Sequence, residues 1–356
     1  MNQIGINGEF YRPTIKLKQG FIADEEAEKL YKAMKGIGCN KDAVNKILGS
    51  CTFIQRKQIE KSFKGLFGKD LIKELKSELS GDHEKLVLML FKSPAEINAF
   101  DCYKAIQGAG TDEQTLCSIL GTATNSEILQ IKAAYQEVLK QEKKNVNKRD
   151  LDKDIKNDTG GDFSRVLMSL LQAERKELDQ DALNSLRQGN LDKAVDKLVA
   201  KQQAEELYRD GEDTMGTHET TFIKILCRQN VWQIAAIDYE YEKLTGHSIA
   251  KAIEKELSGD FKKIMKVMVK ACLDRSGLYA ELLYKSMKGA GTDDKTLRRI
   301  IVTRSEVGLS FFYFDQIDME SIKEAYMKLY GKTLAKDIRG DTSGHYEKLL
   351  LMLIGE

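Results

Sequence analysis

Seven residues recur four times along this chain, so whatever fold it adopts must offer four equivalent places for them. Met287-Lys288-Gly289-Ala290-Gly291-Thr292-Asp293 returns as Ile106-Gln107-Gly108-Ala109-Gly110-Thr111-Asp112. It returns in altered form as Met34-Lys35-Gly36-Ile37-Gly38-Cys39-Asn40 and as Gly211-Glu212-Asp213-Thr214-Met215-Gly216-Thr217. The same frame surrounds each copy. Upstream, apolar residues fall three or four apart, as in Ala27, Leu30, Tyr31 and Met34, or Tyr279, Leu282, Leu283 and Met287. Downstream come Val44, Ile47 and Leu48, then Leu116, Ile119 and Leu120, then Phe222, Ile225 and Leu226, then Leu297, Ile300 and Ile301. This is the period of helices with one buried face. Thr111 and Thr292 are placed to cap the helix that follows, and Thr111 with Gln114 fits a capping box.

A second signature follows each loop. It reads Glu78-Leu79-Ser80-Gly81-Asp82, Asp158-Thr159-Gly160-Gly161-Asp162, Glu256-Leu257-Ser258-Gly259-Asp260 and Asp341-Thr342-Ser343-Gly344-His345. An apolar helix comes after it, as in Leu86 to Leu90 or Leu349 to Leu353. One unit is therefore several short helices, and a repeat of this kind overrides the two or three domains that length alone suggests. The 2 prolines in 356 residues agree with helix throughout. The interval between the second and third loops is the long one. It holds a connector, about 174–200, with Leu183, Leu186, Leu191, Val195 and Leu198 at near-helical spacing, which predicts a partly helical linker on the surface.

Charge and cysteine usage narrow the function. A net charge of +1 gives no field to steer nucleic acid, and the basic run 140–149 reads as a solvated loop. No apolar run reaches the length of a membrane span, and the N-terminus lacks a signal-peptide core. Six cysteines without a CxxC spacing point to reduced thiols, with Cys39 the exposed one. The four histidines, His83, His218, His247 and His345, are scattered, and no Cys/His spacing suits zinc. Asp150, Asp152 and Asp154 imitate an EF-hand start, but Ile155 and Gly161 occupy the positions that need Gly and Glu.

The loops themselves suit neither dinucleotides nor nucleoside triphosphates. The third glycine of GxGxxG is missing, no strand precedes the loop, and no Gly-Lys-Ser/Thr follows. Binding a cation through backbone oxygens fits better. Two glycines in three residues permit positive φ, so successive carbonyls can turn toward one point. Calcium wants 6–8 oxygens, often with a carboxylate, and the second signature supplies one. Gly36 to Glu78 spans 42 residues, and Thr214 to Glu256 spans 42 as well. An acid beside Ser/Thr-Gly can simply cap a helix, but four paired copies favour the metal.

With both signatures in place, the chain resembles the annexin family from about Gly20 onward. The resemblance implies an all-α fold of four repeats, each of about five helices A to E, forming a curved disc. Calcium loops would lie on the convex face between helices A and B, each completed by an acid near the D–E loop. The divisions would be a tail at 1–20, repeats at 21–93 and 94–173, a linker at 174–200, and repeats at 201–273 and 274–356. Carried across, Met34, Gly36 and Gly38 would offer carbonyls beside the carboxylate of Glu78. Ile106, Gly108 and Gly110 would do so with Asp158, Gly211, Thr214 and Gly216 with Glu256, and Met287, Gly289 and Gly291 with Asp341. Cys39 and Asn40 replace the usual Thr-Asp, which leaves backbone ligands intact. Gly108 to Asp158 is 50 residues and Gly289 to Asp341 is 52, so repeats two and four carry insertions, expected at 141–148 and 310–319. If these displaced helix D, Asp158 or Asp341 would miss its ion. The aromatic run Phe311 to Phe314 would be buried against its own repeat or meet a partner.

The expected function is calcium-dependent, reversible binding to acidic phospholipid membranes of the phosphatidylserine type, with no enzymatic activity and no nucleic-acid partner. Lys35 and Lys288, beside the loops, would each add about 1 kcal/mol near a negative surface. The alternative is a scaffold that bridges membranes or self-assembles on them through the linker and inserts. The N-terminal tail or the linker would be the place for a protein partner. The resemblance implies cytoplasmic residence with recruitment to membranes, and leaves room for unconventional export.

Overall fold

The computed structural model describes residues 12–36, 38–213, 218–306 and 319–356. Among them lie 21 helices and no strand. Five belong to each repeat and one to the connector. Repeat one is α1 (Ala23–Met34), α2 (Lys41–Gly49), α3 (Phe53–Phe67), α4 (Leu71–Glu78) and α5 (Gly81–Met89). Repeat two is α6 (Pro94–Ala105), α7 (Glu113–Leu120), α8 (Asn125–Gln141), α9 (Leu151–Asp158) and α10 (Gly161–Leu171). After the connector helix α11 (Gln180–Arg187), repeat three runs α12 (Lys197–Gly211), α13 (Glu219–Leu226), α14 (Val231–Thr245), α15 (Ile249–Glu256) and α16 (Gly259–Leu273). Repeat four is α17 (Arg275–Met287), α18 (Asp294–Ser305), α19 (Met319–Tyr330), α20 (Leu334–Asp341) and α21 (Gly344–Leu353).

Periodicity accounts for the core. All twelve apolar residues named for the second helices, from Val44 to Ile301, are buried. Of the first-helix stripe only Tyr31 stays half exposed. The third helices end on left-handed glycines in three repeats: Gly68 at φ 65°, Gly246 at φ 77° and Gly331 at φ 66°. Only three residues then lead to the fourth helix, 68–70, 246–248 and 331–333. Repeat two lacks this glycine, and its connection is 142–150, with Lys143 at φ 54°. Its insertion thus falls where the spacing expects it. In repeat four the additional residues lie between α18 and α19, and 307–318, including the aromatic run, fall outside the described residues.

The fourth helices keep one length in all four repeats. The helices α4, α9, α15 and α20 are 8 residues long each, and each ends on its acid, Glu78, Asp158, Glu256 or Asp341. Loop lengthening at a surface costs little in closure entropy, so the geometry that matters is preserved.

The connector is partly helical as its spacing implies, but the residues it buries are small. Ala182, Ser185 and Ala194 are buried, whereas Leu191 is 47% and Leu198 is 77% exposed. Asp179 caps α11 by accepting from the Ala182 N–H at 2.8 Å.

Two compact units form. One joins Tyr279–Glu356 to the N-terminal part ending at Ile97, which pairs repeats one and four; the other is Asn98–Leu278, repeats two and three. In the first unit, Arg56 is 1% exposed and donates to the carbonyls of Leu48 (2.9 Å) and Leu90 (2.7 Å) and to the Glu306 carboxylate of repeat four. Asn45 donates to the His345 carbonyl at 2.8 Å and accepts from His83 Nε2 at 2.7 Å. Arg298 of repeat four reaches Asp82 of repeat one at 2.7 Å. In the second unit one continuous apolar core runs through both repeats, and Arg175 ties them by donating to the carbonyl of Gln229 at 2.8 Å.

Candidate metal centres

Three of the four loops begin with a residue whose side chain is sunk in the core. Met34, Ile106 and Met287 are 6–8% exposed, which anchors the end of the first helix and directs the chain outward. The closing bond is the same in three repeats: the backbone N–H of Asn40, Asp112 or Asp293 donates to the carbonyl of Ala33, Ala105 or Ser286, at 2.7–2.8 Å. Between these ends the two glycines carry positive φ, Gly36 at 126° and Gly38 at 86°, Gly108 at 106° and Gly110 at 89°, Gly289 at 120° and Gly291 at 96°. A Cβ added at any of them meets no atom within 4 Å. Glycine is therefore required by the backbone torsion and not by crowding.

Among the described residues, no hydrogen bond is donated to the carbonyls of Gly108, Gly110, Gly289 or Gly291. Both loops are exposed. Exposed carbonyls left without protein donors, beside a half-buried carboxylate, are the donor set of a hard oxygen-seeking cation. No group of three or more His, Cys, Asp or Glu side chains is placed to hold a metal among the described residues. A cation here would depend on the carbonyls.

The acids do return to the loops. Thr111 Oγ1 donates to Asp158 Oδ2 at 2.7 Å and contacts the Asp158 carbonyl at 3.1 Å. Thr292 Oγ1 donates to Asp341 Oδ2 and lies 3.2 Å from the Asp341 carbonyl. The insertions have not pulled either acid away. These threonines are not helix caps, which corrects the expectation from spacing. The caps are Asp112, accepting from the Thr115 N–H at 2.9 Å, and Asp293, accepting from the Thr296 N–H at 3.1 Å. Nor is Gln114 part of a capping box: Thr115 Oγ1 returns to Asp112 Oδ2 at 2.6 Å instead. The signal was present in the order of residues, since the aspartate stands one place nearer the helix than the threonine. That freed the threonine hydroxyl for a partner 47 residues on, which no local pattern reveals.

Repeat one differs at this contact. Cys39 takes the threonine position, and Asn40 caps α2 through the Ala43 N–H at 3.0 Å. Cys39 is half-buried, not freely exposed, and Cys272 is its equal in this. Burial pushes the Cys39 thiol up, and the nearby Glu78 carboxylate pushes it further. Glu78 thus lies beside the loop, but a thiol replaces the hydroxyl clasp.

Repeat three departs most. Thr214 and Gly216 lie outside the described residues. Gly211 ends α12 and is buried. His218 begins the next helix without a side-chain cap, and its N–H reaches Asp210, one residue further back than in the other loops. Lys255 bridges Glu212 at 3.0 Å and the acid Glu256 at 3.5 Å. Burial alone would raise the Glu212 carboxyl, yet the Tyr241 hydroxyl, Lys255 and His247 hold it below the usual carboxylate range.

Other sequence features resolve simply. Asp150 caps α9, Asp152 pairs with Lys132 at 2.9 Å, and buried Asp154 pairs with Arg149 and Tyr135, so the EF-hand imitation holds no site. Two of the scattered histidines meet in space: the rings of His83 and His345 are 5.8 Å apart between centroids.

Comparison with known proteins places the whole chain among similar sequences and folds. The family model described as Annexin matches residues 25–90, 99–170, 202–268 and 279–353. Annexin A13 of Schistosoma japonicum is 42% identical over 352 residues, covering 99% of this chain and 97% of that protein. Annexin A13 of Homo sapiens is 42% identical over 336 residues, covering 94% and 96%. Among solved structures, calcium-bound annexin (Sm)1 superposes with a TM-score of 0.86 at 34% identity, over 99% of this chain and 96% of that one.

Proposed function

The chain belongs to the annexin family, whose members bind phospholipid membranes in a calcium-dependent way and are not enzymes; on that premise we propose that its Gly-x-Gly loops and the acids ending α4, α9, α15 and α20 are the calcium sites. The carbonyls of Met34, Gly36 and Gly38 would serve with Glu78, and those of Ile106, Gly108 and Gly110 with Asp158. In repeat three the set is Gly211, Thr214 and Gly216 with Glu256, and in repeat four Met287, Gly289 and Gly291 with Asp341. The observation that carries this reading is the return of Asp158 and Asp341 to their loops through the threonine hydroxyls. When bound, calcium supplies positive charge and open coordination positions for the phosphate and carboxylate oxygens of acidic lipids.

The protein's own part is arrangement. Buried Met34, Ile106 and Met287 fix where each loop starts, the glycines turn its carbonyls outward, and the eight-residue helix brings one carboxylate beside them. With a net charge of +1 the chain has little attraction for an anionic surface by itself. Several weak loop contacts on one molecule then add through effective concentration, which makes binding reversible and steep in calcium. Repeats two and four, with clasped acids, are the stronger sites. In repeat three the cation must displace Lys255 from Glu256.

Co-sedimentation with phosphatidylserine vesicles across a calcium titration tests this. Asp158→Asn with Asp341→Asn should raise the half-maximal calcium several-fold, more than Glu78→Gln with Glu256→Gln. Identical calcium dependence of all variants and the parent would sink the assignment.

A further inference from the structure

Two of the four histidines, 262 positions apart, share a polar cluster where repeats one and four pack. His83 lies in the first turn of α5 and is 7% exposed; His345 lies in the first turn of α21 and is half-buried. Their ring centroids are 5.8 Å apart, with planes tilted by 38°. The neighbours of each ring fix its hydrogen. The Asn45 side chain meets the His345 carbonyl at 2.8 Å, and a carbonyl cannot donate, so the Asn45 nitrogen faces it. Asn45 Oδ1 is then the atom 2.7 Å from His83 Nε2, which must carry the hydrogen. His83 Nδ1 keeps a lone pair. That nitrogen is buried and, among the described residues, has no hydrogen-bond partner.

The second ring is set in the same way. His345 Nδ1 lies 3.1 Å from the Asp42 carboxylate, which Lys348 also holds at 2.9 Å. A carboxylate accepts, so the neutral ring has its hydrogen on Nδ1 and its lone pair on Nε2. Each imidazole is thus oriented by a hydrogen bond at one nitrogen and leaves the other free. An amide or a carboxylate orients metal-binding imidazoles in this manner. Burial keeps His83 neutral, pushing its ring down to about 4. A buried lone pair without a partner is costly to the fold, and calcium, which takes oxygen, does not answer it.

We propose that His83 Nδ1 and His345 Nε2 form a two-histidine site for a divalent transition ion of the zinc and copper class, joining repeat one to repeat four. Its donors are nitrogens, which suit these ions, and not the oxygens of the loops. The inference stands independently of the calcium reading. Two imidazoles on one tetrahedral ion, with bonds of about 2.0–2.1 Å, hold their centroids roughly 5 Å apart. The 5.8 Å observed therefore needs a closure of roughly 1 Å or less, which rotation of the half-buried His345 side chain supplies. No group of three or more His, Cys, Asp or Glu side chains is placed to hold a metal among the described residues, so water completes the coordination. Lys41 and Lys348 oppose a cation here and Asp42 favours it. Such a site is weaker than a four-ligand structural one. Because the ion ties α5 to α21, it stabilises the folded chain as its concentration rises.

The experiment titrates zinc into the full chain in saturating calcium, so that oxygen sites are already filled. Nitrogen spectra of the histidine rings report which atoms bind, and thermal unfolding reports the linkage. His83 Nδ1 and His345 Nε2 should shift as ligated nitrogens while His218 and His247 stay put. The melting temperature should rise with zinc and not with magnesium. His345→Gln should melt like the parent without zinc and lose both responses. Asp42→Asn removes the charge that orients His345 and should cost about tenfold in zinc affinity. Cys39→Ser should bind as the parent does, which separates the site from thiol capture. Unmoved His83 and His345 resonances, a melting response that survives His345→Gln, or its loss in Cys39→Ser would overturn the inference.

Discussion

Thr111 donates its hydroxyl to the Asp158 carboxylate at 2.7 Å, joining the loop between the first and second helices of repeat two to the end of its fourth helix across 47 residues. A hydrogen bond to a charged acceptor is worth about 1.5–3 kcal/mol. It holds the acid where an incoming cation would find it. Thr111→Val should therefore weaken the repeat-two site by about tenfold or more, and Thr292→Val the repeat-four site likewise. Thr111→Ser keeps the hydroxyl and should restore most of the affinity. Calorimetric calcium titration of the three proteins decides it: if valine binds as tightly as threonine, the clasp does not position the acid.

The loop glycines make a separate prediction. Gly110 at φ 89° and Gly291 at φ 96° have open space where a methyl group would stand, so alanine would suffer only torsional strain. That strain is about 1–2 kcal/mol per residue. Gly110→Ala and Gly291→Ala should fold, show a small fall in melting temperature, and lose calcium affinity disproportionately. A variant that melts lower but binds calcium normally would mean the loop carbonyls are not the ligands.

His83 provides a pH signature. It is 7% exposed, and burial, reinforced by His345 and Lys41, pushes its ring down to about 4 from an ordinary 6.5. The unfolded chain then binds a proton that the folded one refuses. Stability is complete above about pH 6.5 and falls as pH drops toward 4, by on the order of 2–3 kcal/mol. His83→Gln retains a donor for Asn45 and should flatten that part of the curve. Denaturant unfolding between pH 4 and 7 reads the slope, and an unchanged slope in the variant would assign it to other groups.

Arg56 is the most exacting buried side chain of the first unit. Its removal strands two backbone carbonyls and leaves the Glu306 carboxylate with the Phe53 N–H but without its cation. Arg56→Met should destabilise by about 3–5 kcal/mol, the cost of leaving a buried charge unpaired. Adding Glu306→Gln should recover part of the loss, which thermal unfolding of the double variant would reveal.

Much of this was legible in the residues. The helical period located the buried faces of the second helices, and two short motifs located the loops and acids that the structure brings together in repeats two and four. The reading of Thr111 and Thr292 as caps was wrong because capping preferences are local and both Thr and Asp satisfy them. Which one caps depends on whether the other has a distant partner. His83 and His345 read as unrelated for the same reason, being 262 positions apart. The connector's spacing predicted a partly helical linker on the surface, and it contains one helix; that Ala182, Ser185 and Ala194 are its buried residues was not legible in that spacing.

By itself, then, the chain determined an all-helical repeat architecture and the recurrence of a glycine loop and an acid motif in each repeat, because helix period, glycine torsion and short motifs act within a few turns of one another. Tertiary structure decided the rest: that repeat one packs with four and two with three, that Asp158 and Asp341 fold back despite their insertions, and that His83 and His345 meet. Those relations join residues dozens to hundreds of positions apart. They follow from which surfaces bury one another, and that is settled only when the helices pack.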